Sequence, residues 1–402
     1  MYRCDLIDCD DIYHYDEYKN ILYKNNKKMK VKIKNKEKTD NGYILRITLG
    51  RCCNLRCAYC IQSDTINNIQ DELSIDVFIF NLKLFLKGKR ISKVDFWGGE
   101  PLVYFDKMKQ LHKRFVEEFN VKKFWFPTNG KLLTDEVTDF LIENKIKISI
   151  SYDGNGQILR GYDLENDEIV VNNLKRLNKE NLLIFSPIAT KYNYDPYVYY
   201  EKTRNLIKTD NFSVGCLVPL RIVDKNSYEN RVPEELLYDM FEKMYHGIIK
   251  EKLGNIFNVF NLGIDFFIGN LNQTKDTSFL YPCMAFCKNY LFIDFAGNIM
   301  ACGIFDKGNK CGDADLCFGN IKETKLTNNI KNIYYPVIDE RRKRSHCNDC
   351  LVKHMCCGGC PLNNPKEYEV ANCKQNYYFN LAIFSAALTM ITGKVVKEIT
   401  KE

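Results

Sequence analysis

The 402-residue sequence lacks both a long apolar run and a basic, apolar segment at its start. Its longest apolar stretch, residues 381–391, is interrupted by Ser385 and Thr389 and falls well short of the roughly 20 residues that span a bilayer. Its first residues are acidic and lack the basic and apolar regions of a secretory signal. These absences predict a cytoplasmic protein that has no membrane partner.

An excess of charge of one sign is also missing, because 58 Lys and Arg residues stand against 51 Asp and Glu residues. A net charge of +7 is too small to indicate nucleic acid as a partner. Hydrophobic residues make up 45% of the chain and charged residues 27%, which excludes a disordered chain. We expect a chain of this length to form two or three packed units.

Cysteine is the residue that the sequence has in excess, with 18 in the chain. Disulfides are rare in a reducing compartment, so clustered cysteines there are more often metal ligands. One dense group lies within residues 52–60 and another within residues 283–373, and only Cys216 lies between them. This distribution predicts a metal site in an N-terminal domain and further metal in a C-terminal domain.

Strand-like and helix-like segments alternate between residues 43 and 217. The strand-like runs are Tyr43–Leu49, Val94–Trp97, Phe124–Pro127, Ile146–Tyr152, Leu183–Ala189 and Phe212–Leu217. The helix-like runs are Ile75–Lys87, Tyr104–Phe119, Thr134–Asn144 and Glu168–Lys179. Such alternation is typical of parallel βα units, and a stretch of about 180 residues suits a partial, TIM-like (β/α)6 barrel. Reactive groups in such α/β sheets lie in loops at the carboxyl ends of the strands.

These patterns divide the chain into four predicted segments. Residues 1–41 form an N-terminal arm with a short strand over residues 29–35, whose lysines face solvent. Residues 42–230 form the α/β core. Residues 231–280 form a helical linker, with a helix over residues 234–251. Residues 281–402 form a cysteine-rich domain that ends in a helix.

Three cysteines follow the first predicted strand with the spacing C-x3-C-x2-C, namely Cys53, Cys57 and Cys60. A catalytic zinc can have three protein ligands. A [4Fe–4S] cube that is held by three cysteines has one iron without a protein ligand, and that iron can bind a small molecule. A zinc knuckle or incidental cysteines are the alternatives. Cys52 is out of register with this spacing, and we expect it to be a packed thiol.

Three further loops follow the next three predicted strands. The first contains Gly98, Gly99, Glu100 and Pro101, the second Thr128, Asn129 and Gly130, and the third Ser151, Asp153 and Gly154. Paired glycines let a backbone approach a ligand closely, and Glu100 can accept a hydrogen bond from an ammonium group. For the second loop, an ordinary β-turn is the alternative.

The C-x3-C-x2-C spacing, with the aromatic Tyr59 before the last cysteine, resembles the radical S-adenosylmethionine (SAM) enzymes. In that family the open iron chelates the amino and carboxylate groups of SAM, and an electron from the cluster cleaves the sulfonium to give a 5′-deoxyadenosyl radical. The resemblance implies SAM contacts from the following residues: Tyr59, Gly98, Gly99, Glu100, Pro101, Thr128, Asn129, Ser151 and Arg160. Glu100 and its neighbours would hold the amino group, and Ser151 the carboxylate or ribose. Arg160 would pair with the carboxylate, or else be a solvated surface residue.

The C-terminal cysteines follow the pattern C-x9-G-x4-C, from Cys287 through Gly297 to Cys302, and then C-x2-C-x5-C-x3-C with a last cysteine beyond. This pattern resembles the SPASM extension of radical SAM maturases, which binds two auxiliary [4Fe–4S] clusters. The resemblance assigns Cys283, Cys287, Cys302 and Cys360 to the first cluster, and Cys347, Cys350, Cys356 and Cys373 to the second. Whether Cys283 and Cys287 both ligate stays open. Two zinc sites are the alternative.

The resemblance implies an oxidoreductase with three [4Fe–4S] clusters and SAM. Its radical would abstract hydrogen from a residue of a ribosomally made precursor peptide, or of a protein, and form a thioether or carbon–carbon crosslink. An electron donor such as flavodoxin or ferredoxin would reduce the core cluster. The sequence assigns no catalytic residue.

Three alternatives to crosslinking stay open. In anaerobic sulfatase maturases an aspartate follows the cysteine of G-x4-C and acts as general base. Gly303 has that position here, with Asp306 nearby, so formylglycine formation is the second hypothesis. Oxidation of a small molecule is the third. An iron–sulfur electron carrier would explain the C-terminal cysteines but not the loop with the open iron.

Overall fold

The computed structural model describes most of the chain. The described residues are 1–30, 42–63, 72–215, 217–249, 263–265, 267–269, 271, 289–305, 308–311, 314–323, 343–353, 355–356, 360 and 366–402. The predicted ligands Cys283 and Cys287 lie outside them, as do Cys216 and about half of the predicted linker.

Strands and α-helices follow one another in the described part of the chain, where residues 263–265 and 267–269 are also helical. The strands are β1 Tyr2–Leu6, β2 Tyr13–Asp16, β3 Ile21–Lys24, β4 Lys27–Lys28, β5 Tyr43–Thr48, β6 Ile91–Trp97, β7 Phe124–Thr128, β8 Lys147–Ile150, β9 Leu183–Phe185, β10 Ile188–Ala189, β11 Val218–Pro219, β12 Tyr290–Asp294, β13 Asn298–Met300, β14 Lys310–Cys311, β15 Ala314–Asp315, β16 Cys317–Asn320 and β17 Val396–Lys401. The helices are α1 Ile75–Leu86, α2 Phe105–Phe119, α3 Asp135–Glu143, α4 Glu168–Lys179, α5 Pro196–Ile207, α6 Lys225–Glu229, α7 Glu234–Ile249, α8 Ser345–Asn348 and α9 Glu369–Thr392.

The main sheet has eight strands in the order β16-β13-β12-β5-β6-β7-β8-β9. The six strands from β12 to β9 in that order pair in parallel, and β13 and β16 are antiparallel to their neighbours. This arrangement confirms the predicted α/β fold, a partial barrel with an open sheet. The parallel order places the carboxyl ends of β5 to β8 at one end of the sheet, where the four motif loops begin.

Alternating burial explains why these segments form strands with helices packed against them. Leu45 and Ile47 of β5 and Phe96 of β6 are fully buried, and they share one hydrophobic core with Leu82 of α1 and Leu111 of α2. The predicted helices and the first four strands of the core are confirmed, with small differences at their ends.

Capping side chains define where three of the helices begin. The side chains of Ser74, Thr134 and Asp167 accept hydrogen bonds from backbone N–H groups in the first turns of α1, α3 and α4. Such caps satisfy N–H groups that have no partner within the helix. The start of each of these helices is therefore encoded locally in the sequence.

The last two strands predicted for the barrel differ from the structure. The run predicted over residues 183–189 is divided into β9 and β10, because Pro187 between them has no N–H to donate to a sheet. In the run predicted over residues 212–217, the described part has only an isolated bridge from Val214 to Phe185. β10 instead pairs in parallel with β11 in a separate two-stranded sheet.

The N-terminal residues form a sheet rather than an arm. A five-stranded sheet has the order β17-β1-β2-β3-β4, and β1 is antiparallel to β17 at the other end of the chain. Residues 29 and 30 are in no strand and residues 31–35 lie outside the described part, so the strand predicted over residues 29–35 does not begin at Met29.

Within the described residues, no helix has both the length and the apolar character that crossing a bilayer requires.

Candidate functional site

The three cysteines of the first motif lie in the loop that follows β5. Burial raises the pKa of Cys57 to about 11; the guanidinium of Arg160 opposes this shift, and the thiols of Cys60 and Cys53 add to it. Burial also raises the pKa values of Cys53 and Cys60. The three thiols are half-buried, and those of Cys53 and Cys60 lie near enough to Cys57 to raise its pKa.

These thiols could bind either a single zinc ion or a [4Fe–4S] cube. Among the residues that the structure describes, no three His, Cys, Asp or Glu side chains are grouped as ligands of a single metal ion. A cube binds each thiolate at a different iron, so its ligands stand further apart than those of one zinc ion. The three thiols could each bind a different iron of a cube, and a zinc knuckle stays the alternative for this loop.

Gly98 and Gly99 let the loop after β6 pack directly on the cysteine loop. A Cβ atom on Gly99 would lie 2.4 Å from the carbonyl oxygen of Cys52 and 2.5 Å from that of Arg51. Gly98 has a φ of +152°, and a Cβ atom there would lie 2.3 Å from the carbonyl oxygen of Gly50. The backbone that these glycines approach is thus that of the cysteine loop.

Two neighbours of this contact complete the packing. Pro101 begins a short 3-10 helix, Pro101–Tyr104, and Glu100 is its N-cap residue. The hydroxyl oxygen of Tyr104 accepts a hydrogen bond of 2.8 Å from the backbone N–H of Cys52. The side chain of Cys52 is exposed, so the prediction of a packed thiol at this position is wrong.

The carboxylate of Glu100 joins the loops that follow β6 and β7. Glu100 is 2% exposed. Its Oε1 accepts hydrogen bonds from the backbone N–H of Leu102 at 3.0 Å and from Oγ1 of Thr128 at 2.7 Å. Its Oε2 accepts from the backbone N–H of Asn129 at 2.8 Å. Both oxygens therefore bind protein groups, and a contact with the SAM amino group stays a prediction.

Asn129 and Ser151 connect the remaining loops to the site. Nδ2 of Asn129 donates to Oδ1 of Asn54 at 2.8 Å and lies 4.0 Å from Sγ of Cys53. The backbone N–H of Ser151 donates to the carbonyl oxygen of Thr128 at 2.8 Å, and its side chain is half-buried. All four predicted loops thus meet around the cysteines.

Asp153 is the residue of this site that the sequence analysis did not assign. It is 0% exposed, and its carboxylate accepts two hydrogen bonds from Arg160, Nε to Oδ2 at 2.7 Å and Nη2 to Oδ1 at 3.1 Å. It also accepts from the hydroxyl of Tyr59, and from the backbone N–H of Ile188 at 2.8 Å. An aspartate seven positions before an arginine, at the end of a strand, is the signal that could have indicated this pair.

Arg160 is buried at 8% exposure, so it is not a solvated surface residue. Its guanidinium carbon lies 5.4 Å from the centre of the Tyr59 ring, and the charge of Asp153 raises its pKa against the effect of burial. The partner of Arg160 in the structure is thus Asp153, and a contact with the SAM carboxylate stays a prediction.

Six of the described C-terminal thiols fall into two groups. Burial raises the pKa of Cys302, and the nearby thiol of Cys360 adds to the shift. Burial raises the pKa of Cys350 to about 11, with contributions from Cys347 and Cys373, and that of Cys373 to about 11, with contributions from Cys356 and Cys347. The resemblance assigns Cys302 and Cys360 to the first auxiliary cluster, whose other predicted ligands lie outside the described residues, and it assigns the other four thiols to the second.

Glu100 provides a test of burial at this site. Burial raises its pKa above the ordinary 4.5, so the folded protein holds this proton more tightly than the unfolded chain. The stability that the carboxyl contributes is greatest below pH 4.5 and is lost as the pH rises through the folded pKa. The amide of a Glu100→Gln variant does not titrate. We therefore expect the difference in unfolding free energy between the wild type and this variant to fall as the pH rises above 4.5, by about 1.4 kcal/mol for each pH unit by which the folded pKa lies above 4.5.

Urea unfolding of the cluster-free proteins at a series of pH values measures this difference. A difference that grows as the pH rises would contradict burial as the dominant effect on Glu100.

Comparison with known proteins finds a family profile that matches part of the chain and a relative that matches most of it. The sequence profile of the radical SAM superfamily matches residues 47–197. The cysteine-type anaerobic sulfatase-maturating enzyme of Clostridium novyi (strain NT) is 24% identical over 341 residues, which cover 79% of this chain and 87% of the relative.

Solved structures share the fold. Native anSMEcpe with bound AdoMet superimposes with a TM-score of 0.57 at 18% identity, over 87% of this chain and 98% of that one. Streptococcus suis SuiB bound to the precursor peptide SuiA superimposes with a TM-score of 0.51 at 20% identity, over 79% of this chain and 72% of that one. At these identities the likeness shows the α/β fold with an open sheet.

Proposed function

The chain belongs to the radical SAM superfamily and is a radical SAM enzyme, and from this premise we propose that it is a maturase that crosslinks a ribosomally made precursor peptide. When bound, SAM and the reduced core cluster supply a deoxyadenosyl radical that abstracts hydrogen. The crosslink would be a thioether or a carbon–carbon bond. The observation that carries this proposal is the presence of three thiols at the carboxyl end of β5 together with two further sets of thiols in the C-terminal region.

Family membership implies SAM and one [4Fe–4S] cluster, and the other two clusters are part of the proposal. Cys53, Cys57 and Cys60 would hold the core cluster. The first auxiliary cluster would be held by Cys302 and Cys360 with Cys283 and Cys287, and the second by Cys347, Cys350, Cys356 and Cys373. Asp153, through Arg160 and Tyr59, would keep the wall of the SAM site in place. An electron donor such as flavodoxin or ferredoxin would reduce the core cluster.

The surroundings of Gly303 favour crosslinking over formylglycine formation. A Cβ atom on Gly303 would lie 3.3 Å from the Phe292 ring, 3.4 Å from the Trp97 ring and 3.5 Å from Cδ of Arg46. The guanidinium of Arg46 lies 4.4 Å from the centre of the Trp97 ring and 3.3 Å from a carboxylate oxygen of Asp95. Aromatic side chains and the ion pair of Arg46 with Asp95 thus lie beside the place where sulfatase maturases have a carboxylate base, and Asp306 lies outside the described residues.

A peptide substrate has independent support. SuiB has been solved with the precursor peptide SuiA, and it has the same fold as this chain. Formylglycine formation is the second candidate function, because the Clostridium novyi relative is a sulfatase-maturating enzyme that matches most of this chain.

Anaerobically reconstituted protein with SAM and dithionite tests the proposal. We expect release of 5′-deoxyadenosine and about twelve irons per chain. A peptide encoded beside the gene should lose about two hydrogens in mass for each crosslink. A hydrazide probe would label the aldehyde of formylglycine and not a crosslink. Iron near four per chain, with zinc, would contradict the auxiliary clusters.

Replacing one ligand of the second auxiliary set separates SAM cleavage from product formation. We expect Cys350→Ala to release deoxyadenosine but to form no crosslinked peptide, with about four fewer irons per chain. Cys9→Ala is the matched control, because Cys9 is a partly buried thiol outside the predicted sets. Product at the normal rate in Cys350→Ala would show that this cluster is not required.

A further inference from the structure

Arg51 lies two residues before the first ligand of the core cluster and is 3% exposed. Its Nη1 donates to the carbonyl oxygen of Gly303 at 3.1 Å, and its Nη2 donates to that of Phe305 at 2.8 Å. Gly303 follows Cys302 directly. One guanidinium therefore binds the backbone next to a ligand of the predicted first auxiliary cluster and is itself fixed beside the core-cluster loop.

Gln62 extends this contact to the other end of the cysteine loop. It lies two residues after Cys60 and is buried. In the orientation that satisfies both amide groups, its side-chain oxygen accepts from Nη1 of Arg51 at 2.9 Å and its nitrogen donates to the carbonyl oxygen of Gly98 at 3.0 Å. One buried hydrogen-bond network thus joins three parts of the protein. They are the two ends of the cysteine loop, the loop that contains Gly98, and the segment around Cys302.

Asp294 places a negative charge beside the network. It is buried at the turn between β12 and β13, where its carboxylate accepts from the backbone N–H of Asn298 at 2.8 Å and from Nδ2 of Asn298 at 2.9 Å. Burial raises the pKa of Asp294, and the bonds from Asn298 and the charge of Arg51 oppose that shift. The cation of Arg51 thus binds two carbonyl oxygens, and its charge also acts on a carboxylate that is fixed by its own turn.

These contacts exist between protein groups alone, so they can orient Cys302 before any cluster is present. We propose that Arg51 is a positioning residue that holds the Cys302 segment on the core-cluster loop and so fixes the first auxiliary site relative to the SAM site. This inference rests on the proposed function, because it takes Cys302 as a cluster ligand.

Amide hydrogen exchange of the cluster-free protein tests the positioning role directly. We expect Arg51→Gln to speed exchange in the peptide that covers residues 301–305 by at least about 10-fold, because that segment loses its anchor. Arg51→Lys keeps the charge but has one compact ammonium nitrogen in place of the two guanidinium nitrogens that bind the carbonyl oxygens, and we expect an intermediate effect. Unchanged exchange in both variants would overturn the inference.

Arg56→Gln is the matched control for exchange. Arg56 is on the same loop, but it is exposed and donates to the carbonyl oxygens of Cys53 and Leu55, each at 2.8 Å. We expect it to leave exchange in residues 301–305 unchanged. If exchange in residues 301–305 became as fast in Arg56→Gln as in Arg51→Gln, the inference would also be overturned. Loss of any cation from this loop would then be enough to free the segment.

The reconstituted enzyme gives the second readout. We expect Arg51→Gln to lower the amount of crosslinked peptide per deoxyadenosine by at least about 10-fold, because a displaced auxiliary site uncouples SAM cleavage from product. An unchanged ratio would contradict this role. If the wild type releases no deoxyadenosine, the proposed function fails, and the exchange experiment still decides whether Arg51 holds the segment.

Discussion

Cys57→Ala is expected to reduce release of 5′-deoxyadenosine to background. Two thiolates, Cys53 and Cys60, cannot retain the cube whose open iron would bind SAM. Substitutions that leave the metal ligands in place but remove the residues around them lower activity by up to about 100-fold. Removal of a ligand should lower deoxyadenosine release by more than that. Chromatography of reaction mixtures after anaerobic reconstitution measures the effect, together with iron content and the absorbance of the cluster.

Cys52→Ala is the matched control, since it removes a neighbouring thiol from the same loop. Cys52 is exposed and out of register with the three predicted ligands. We expect this variant to keep its cluster and to release deoxyadenosine at close to the wild-type rate. Equal loss in the two variants would contradict the assignment of the three ligands.

Asp153→Ala is expected to lower the free energy of unfolding by about 3–5 kcal/mol. The substitution leaves the guanidinium of Arg160 buried without its carboxylate, and it removes the acceptor of the Tyr59 hydroxyl and of the Ile188 N–H. Removal of one partner of a buried ion pair is more costly than removal of both. Urea unfolding of the cluster-free protein measures the loss without interference from bound groups.

Two controls accompany this measurement. The carboxylate of Asp163 accepts a hydrogen bond from the exposed Asn166 at 2.7 Å, at the surface of the protein, so we expect Asp163→Ala to change stability by less than about 0.5 kcal/mol. The double variant Asp153→Ala with Arg160→Met should regain part of the loss, because no uncompensated charge is left buried. If the double variant lost as much unfolding free energy as the two single variants together, direct pairing of Asp153 with Arg160 would be contradicted.

The elements that the sequence predicts well are those whose signal is local. β5 to β8 and α1 to α4 lie where alternation and helical spacing indicate them, because each buries one face against its neighbours. The assignment of the thiols to three clusters follows from the family resemblance that their spacing carries, and it stays a prediction. The division at Pro187 is a local signal that the sequence analysis did not use.

Long-range pairing is what the sequence does not show. The contact of β1 with β17 and the parallel contact of β12 with β5 join segments that are far apart in the chain. No periodicity within either segment specifies such a partner. The role of Asp153 is hidden for the same kind of reason, since it depends on Tyr59 from another loop.

The pairing of β12 with β5 has a consequence for dissecting the protein. β5 carries the core cysteine loop, and it pairs with β12 of the C-terminal region from Ile44 to Thr48. A fragment without that region would turn β5 into an edge strand, with a row of unpaired N–H and C=O groups that can recruit other chains. The two cysteine regions thus contribute strands to the same sheet. A truncated core would tend to aggregate rather than fold as a smaller enzyme.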